Sequence, residues 1–254
     1  MILAAGLGTR LRPLTDRIPK ALVPVAGVPM LEHVARRLVA AGADRLIVNV
    51  HHHADRVEAF VRARGGFGVD VRISREEGER PLETGGGLKA AAAHFRGDGP
   101  FFLHNVDVIT DLDLGALHRA HVEEDALATL ATSRRATSRP LLFDDAGLLG
   151  WEDRRPGREA SERIREASGE AREVAFAGVH VLAPRIFDLL LERGRFSIIT
   201  AYLRLAREGH RIVPHDVTAA RWLEAGTPER LEEARRALGG EGAGPGAGSV
   251  GGPA

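Results

Sequence analysis

The sequence predicts an α/β protein built on a doubly wound, mostly parallel, Rossmann-like sheet, and three observations carry that expectation. Strand-like and helix-like segments alternate through the first half of the chain. An apolar stretch at the amino terminus, residues 1–5, runs straight into two glycines one residue apart, Gly6 and Gly8. An aspartate, Asp107, stands just past a second apolar run, Pro100-Phe101-Phe102-Leu103. Such alternation implies crossover connections and helices on both faces of a parallel sheet. Ligands bind such sheets outside the carboxyl ends of the strands, so Gly6 and Asp107 fall on one functional edge.

The elements follow from hydrophobic spacing. Residues 1–5 suit a buried strand, an unusually short one, which suggests a start a few residues upstream. Residues 47–50, 69–73, 100–103 and 126–130 read as strands. Helical patterns at 30–41, 54–64, 87–95 and 112–123 separate them, with apolar residues three and four apart. Residues 151–172 mix Arg, Glu, Gly and Ser with few large apolar side chains, and read as a solvated loop with a short hairpin before it. A strand at 175–182 and a helix at 184–192 follow. Thr227 then caps a last helix that has Pro228 in its first position and runs to Leu238.

Composition bounds the class. With 254 residues, 44% hydrophobic and 28% charged, the chain has the apolar content for one substantial core. Residues 1–238 are expected to form one domain, and 239–254, mostly Gly, Ala and Pro, a disordered tail. Acidic and basic residues balance at 35 each, which argues against nucleic acid or an anionic membrane as partner. The absence of cysteine excludes disulfides, thiolate catalysis and cysteine zinc sites. No apolar run approaches the roughly 20 residues of a membrane span, and no charged segment precedes a long apolar core, so the cytoplasm is the default compartment.

The chemistry concentrates in Leu3-Ala4-Ala5-Gly6-Leu7-Gly8-Thr9-Arg10, followed by Arg12-Pro13 and Pro19-Lys20. The glycines let the chain turn sharply and expose N–H groups as an anion-binding nest. Arg10 and Arg12 add fixed positive charge, while Pro13, Pro19 and Pro24 hold the following loop extended. Only two lysines occur against an otherwise arginine background, and one of them is Lys20. A compact ammonium where guanidinium is the default suits phosphate, the alternative being a surface residue after a proline. The loop is neither the dinucleotide fingerprint, which needs a third glycine, nor the P-loop, which ends Gly-Lys-Ser/Thr.

The opening run resembles the signature loop of the sugar-1-phosphate nucleotidyltransferases, the nucleotidyl transferase family. The similarity extends to about Leu238 and rests on four separated places. They are the opening loop with Pro19-Lys20, Leu82-Glu83-Thr84-Gly85-Gly86-Gly87, Asn105-Val106-Asp107, and Trp222-Leu223-Glu224-Ala225-Gly226-Thr227-Pro228. The resemblance implies a nucleotidyltransferase-type (GT-A-like) sheet with a small sugar-binding subregion. It implies Mg²⁺-dependent transfer from a nucleoside triphosphate to a sugar 1-phosphate, with release of pyrophosphate.

By the same resemblance Leu3, Ala5, Gly6, Gly8, Thr9 and Arg10 bind the nucleotide, and Arg10 and Lys20 are catalytic. Asp107 and Glu224 hold the metal, and Asn105 and Gly178 contact the sugar. Glu83, Gly85 and Gly86 form the base side, where glycines allow a flat base to approach and helix-end amides read its edge; a plain glycine-rich helix start is the alternative. The Glu-Thr-Gly-Gly-Gly form, and the lack of the Glu-Lys-Pro motif that many relatives carry, are similar to the N-acetylmuramate-1-phosphate uridylyltransferases. Uridine triphosphate is therefore favoured, with a mannose- or heptose-type guanylyltransferase as the alternative.

Two positions depart from the family pattern. Glu224 stands for the Asp of Trp-x-Asp-x-Gly-Thr, and Val106 for the Gly before the metal Asp. They keep a non-catalytic nucleotide-sugar sensor in view; glycosyl transfer on a related sheet is a further alternative, against which the Gly-x-Gly-Thr-Arg loop with Pro19-Lys20 argues. Asp111 and Asp113 fall at a helix start and read as caps. The adjacent His51, His52 and His53 point in different directions on any regular backbone, so they do not converge on one ion.

Overall fold

Apolar residues at the amino terminus make the middle of the sheet. β1 (Ile2–Leu3) is only two residues long, yet Ile2 is fully buried and β1 pairs in parallel with strands on both sides. The computed structural model describes residues 1–239; apart from Gly239, the expectation of a tail at 239–254 lies outside the described residues. After β1 the proline-containing loop is coiled rather than extended. It closes three single 3-10 turns at Thr9–Leu11, Leu14–Asp16 and Lys20–Leu22. A 3-10 turn needs one i to i+3 bond and tolerates the fixed φ of proline, so Leu22 N–H reaches the Pro19 carbonyl at 2.8 Å.

A short ladder of β2 (Pro24–Val25) and β3 (Val28–Pro29) leads into α1 (Met30–Ala40). β4 (Arg45–Val50), α2 (Ala54–Ala63) and β5 (Asp70–Arg75) follow, then α3 (Glu83–Ala90) and β6 (Phe101–Asn105). Strands β6, β1, β4 and β5 lie side by side in that order, all parallel. Next come β7 (Val108–Thr110), α4 (Leu114–Glu123) and β8 (Ala128–Ser133). A meander of β9 (Leu141–Asp144), β10 (Gly147–Asp153) and β11 (Ala160–Arg163) precedes the long β12 (Arg172–Leu182). β12 runs antiparallel to β6, β8 and β9, so the complete sheet is mixed around its parallel nucleus. The chain ends through α5 (Ile186–Leu189), α6 (Ile198–Arg207), β13 (Ile212–Asp216), β14 (Trp222–Glu224) and α7 (Pro228–Gly239).

Strand alternation divides the core into two. Val48 and Val50 face the cluster beneath α1 and α2, whereas Ile47 faces the one that holds Leu88, Tyr202 and Leu205 of α3 and α6. Among the described residues no helix is long and apolar enough to cross a membrane.

Three expectations are corrected. The stretch 151–172 is not simply a loop, because β10 and β11 pair within it as a charged edge hairpin. β11 is almost wholly exposed, so it lacks the apolar alternation that marks a strand in a sequence. The helix expected at 184–192 shrinks to α5, and the carbonyls beyond it are taken by side chains. Lys89 Nζ donates to Leu190 and Glu192 at 2.6 Å each. Finally, α3 begins at Glu83, earlier than the expected residue 87, because its three glycines pack inside the fold.

Candidate active site

Lys20 enters the site on the last of the three turns, and Gly8 is what lets it approach. Gly8 has φ of 67°, and a Cβ there would lie 2.8 Å from Thr15 Cγ2 and 3.2 Å from Lys20 Cβ. Both its left-handed backbone and its lack of a side chain are therefore required. Thr15 Oγ1 donates to the Gly8 carbonyl at 2.8 Å and ties the loop back on itself. Gly6 is exposed with open space beside its Cα. The N–H groups from Gly6 to Arg10 donate to nothing among the described residues, so they form an open anion nest at the carboxyl end of β1. Leu3 and Ala5 underlie it, half-buried and buried, while Thr9 and Arg10 are exposed.

Across from this nest, Asp107 follows β6 directly. Its Oδ2 accepts from Lys20 Nζ at 2.5 Å, with the two side chains only 15% and 12% exposed. Burial pushes the Asp107 pKa up, but the charge and hydrogen bond of Lys20, the Asp107 backbone amide and Arg10 outweigh it and hold the carboxyl below its usual value.

Glu224 arrives by sheet pairing. β14 lies antiparallel to β7 with Glu224 opposite Val108, and Ala225 N–H donates to the Asp107 carbonyl at 2.9 Å. Arg10 Nη2 lies 3.7 Å from Glu224 Oε1, and Arg230 of α7 is ion-paired with the same carboxylate. Gly226 marks where these groups meet. A Cβ there would fall 2.6 Å from Glu224 Oε1, 3.0 Å from Arg10 Nη2 and 3.2 Å from Asp107 Oδ2. Two hard carboxylates facing one small space fit a divalent cation of the Mg²⁺ class, which takes one or two protein carboxylates and fills its shell with phosphate oxygens and water. No group of three or more His, Asp or Glu side chains suited to a metal occurs among the described residues.

Asn105 and Gly178 also come together. Gly178 interrupts β12 with φ of 80°, and a Cβ on it would lie 3.0 Å from Asn105 Nδ2. The carbonyls just before it are taken by side chains: Arg135 Nη2 donates to Phe176 at 2.7 Å, and Trp222 Nε1 to Ala177 at 2.8 Å.

The base side differs from the sequence reading. The Gly85 and Gly86 amides both donate to the Phe196 carbonyl, at 3.0 and 3.3 Å, and so are not free to read a base. A Cβ on Gly85 would strike the Phe196 ring, and one on Gly86 would sit 2.5 Å from the Gly194 carbonyl oxygen. These glycines serve close packing of α3 against the segment before α6. Glu83 has φ of 63° and pairs with Arg195. The sequence reading missed Asn49 and Glu76, both buried at this edge. Asn49 Nδ2 donates to Glu76 at 3.0 Å, and the other Glu76 oxygen accepts from Leu82 N–H at 2.6 Å, which fixes the entry to α3. The signal for Asn49 was a polar residue in an apolar strand, whereas Glu76 follows the polar end of β5 and had none.

Of the two expected caps, Asp113 accepts from Ala116 N–H at 2.9 Å, but Asp111 accepts from Arg221 N–H at 2.8 Å and caps no helix. The strand pair β7–β14 draws Asp111 toward its partner strand instead. His51 bonds the Gly78 carbonyl at 2.8 Å, and His53 precedes α2 in a left-handed conformation.

The nucleotidyl transferase family model matches residues 1–240. An N-acetylmuramate alpha-1-phosphate uridylyltransferase from Caulobacter vibrioides is 37% identical over 90% of this chain and 92% of its own length. The protein of that name from Neisseria meningitidis serogroup B is 33% identical over 94% and 97%. Among solved structures, a UDP-glucose pyrophosphorylase complexed with UDP-glucose superposes with a TM-score of 0.73 at 18% identity, covering 94% of this chain and 97% of that one. HddC from Yersinia pseudotuberculosis complexed with GMP-PN gives 0.70 at 22% identity, covering 93% and 97%. The family model spans the nest, Lys20, Asp107 and Glu224 alike, and the chain belongs to the nucleotidyl transferase family.

Proposed function

We propose that the protein transfers a nucleotidyl group from a nucleoside triphosphate, with uridine triphosphate preferred, to a sugar 1-phosphate, giving a nucleotide sugar and pyrophosphate. The observation that carries this reading is the convergence of Lys20, Asp107, Glu224 and Arg10 beside an open row of backbone amides. The two uridylyltransferase relatives, alike over nine-tenths of the chain, support the choice of base.

In the reaction an oxygen of the sugar phosphate attacks the α-phosphorus in line, and the bond to the β-phosphate oxygen breaks as pyrophosphate departs. Repulsion between anions dominates the barrier, so positioned cations do most of the catalysis. The amides from Gly6 to Arg10, with the Arg10 guanidinium, hold the triphosphate. Lys20 exchanges its bond to Asp107 for the α-phosphate and the incoming phosphate. Asn105 and the Gly178 bulge orient the sugar, and Glu83 lies at the base side. Asp107 and Glu224 would hold Mg²⁺, which when bound neutralises charge on the phosphates. Substrates of this kind fit a cytoplasmic enzyme of cell-envelope carbohydrate metabolism.

The test is a pyrophosphate-release screen crossing four nucleoside triphosphates with a panel of sugar 1-phosphates. Turnover that is fastest with uridine triphosphate is expected. A guanosine preference above about tenfold, or roughly 1.4 kcal/mol, would replace the base assignment. Nucleotide binding with no turnover in any combination would make the protein a sensor.

A further inference from the structure

The two carboxylate oxygens of Glu224 meet different neighbours. Oε1 faces the space beside Gly226, where a Cβ would also meet Asp107 Oδ2, and Arg10 Nη2 stands 3.7 Å from it. Oε2 is taken by the Arg230 guanidinium. One oxygen is thus left to the site while α7 holds the other.

Arg230 starts from a fixed point. It is the third residue of α7, whose buried Leu231 and Ala234 anchor the helix to the core. Leu231 N–H donates to the Thr227 carbonyl at 2.8 Å and closes the first turn, while Ala225 N–H ties the end of β14 to the Asp107 carbonyl at 2.9 Å. A cation in the first turn of a helix opposes the helix dipole, so local helix chemistry does not favour an arginine there. Glu224 is what answers it. A glutamate has one more methylene than the aspartate of the family pattern, and so one more torsion to fix before its carboxylate can serve a metal. The Arg230 side chain is 47% exposed and that of Glu224 only 16%. Water therefore screens the guanidinium, which repels a nearby metal weakly and, as an ion pair, adds little to the stability of the fold. What it supplies is direction, because the outer partners of a ligating carboxylate govern how well that ligand meets its metal.

We propose that Arg230 is a positioning residue of the metal site: it pins Glu224 Oε2, keeps Oε1 turned toward Asp107, and so gives the longer glutamate arm a fixed direction. This rests on the reading of Asp107 and Glu224 as the pair that holds the metal, and adds the residue that orients it.

The test reads binding rather than turnover. The affinity of the full chain for uridine triphosphate is measured by calorimetry in EDTA and again with Mn²⁺, whose bound fraction is followed by water-proton relaxation. Mn²⁺ is expected to tighten nucleotide binding to the wild type by about tenfold or more. Arg230→Met should lower that gain by about tenfold, while the affinity in EDTA and the Tm change far less. An equal loss of affinity in EDTA and in Mn²⁺ would make Arg230 a phosphate contact. A larger gain in the variant would make it a competitor for the carboxylate, and an unchanged gain would leave the pair an ordinary surface ion pair. Each of these three results overturns the proposal while the metal reading stands. A wild type whose nucleotide affinity does not respond to Mn²⁺ sinks both. If Arg230→Met does not fold, Arg230→Gln, which loses the charge, is measured in its place and judged by the same outcomes.

Discussion

Lys20 Nζ and Asp107 Oδ2 lie 2.5 Å apart although 87 residues separate them in the sequence. The pair closes the gap between the loop after β1 and the turn after β6, two parallel neighbours in the sheet. Each side chain offsets the desolvation of the other, since Asp107 and Lys20 are only 15% and 12% exposed. On the proposed mechanism this contact opens for chemistry, so substitutions here should affect rate far more than folding.

Asp107→Asn keeps the shape of the side chain and deletes the charge that would hold the metal. Turnover should fall nearly to zero while the circular dichroism spectrum stays native. A variant that keeps more than about a tenth of the wild-type rate, a cost near 1.4 kcal/mol, would remove the metal assignment.

Lys20→Arg should be far from conservative. The Lys20 Cβ packs close beside Gly8, and a guanidinium does not place a compact charge between two phosphates in that space. A rate loss of at least about a hundredfold, roughly 2.7 kcal/mol, is expected in single-turnover kinetics. Near-normal rates would make Lys20 a surface cation.

Gly226→Ala separates site geometry from stability. The added methyl meets the ends of flexible side chains, Glu224 Oε1 at 2.6 Å and Arg10 Nη2 at 3.0 Å, so the fold can yield at little cost. The displaced groups are those proposed to hold the metal and the triphosphate, and misplacement on this scale costs about a hundredfold in rate. The expected result is a large drop in kcat with an almost unchanged Tm. A matched fall in both would mean that Gly226 serves packing alone.

Much of this was legible in the sequence, for reasons that differ by residue. The parallel nucleus announced itself because residues 47–50, Asn49 apart, are apolar on both faces, as a strand covered on both sides must be. Gly8 and Asp107 were found because a left-handed turn and a carboxylate at a strand end are rare local choices. Helix α6 was within reach but missed: Ser197 caps it, and Ile198, Ala201, Tyr202 and Leu205 recur at helical spacing. The roles of Gly85 and Gly86 were not legible, since glycine beside a ligand and glycine beside Phe196 look alike in one dimension.

Three buried histidines make a last prediction about acid. Burial drives the pKa of His104 to about 4, with smaller opposing and assisting charges, that of His180 to about 3, and that of His121 to about 4. Each is lowered relative to the unfolded chain, so the unfolded state binds the proton more readily. Their contribution to stability is complete above pH 6.5, the ordinary histidine value, and is lost as pH falls from there toward the folded values. In that window each histidine adds a slope of at most about 1.4 kcal/mol per pH unit. His121, whose Nδ1 meets only Thr129 Oγ1 at 2.9 Å, is the one to replace with least disruption. Urea unfolding of His121→Asn between pH 7 and pH 4 should give a shallower loss of stability than wild type, whatever the offset at pH 7. Parallel curves for the two proteins would show that His121 takes up no proton on unfolding, and that the acid sensitivity lies with other groups.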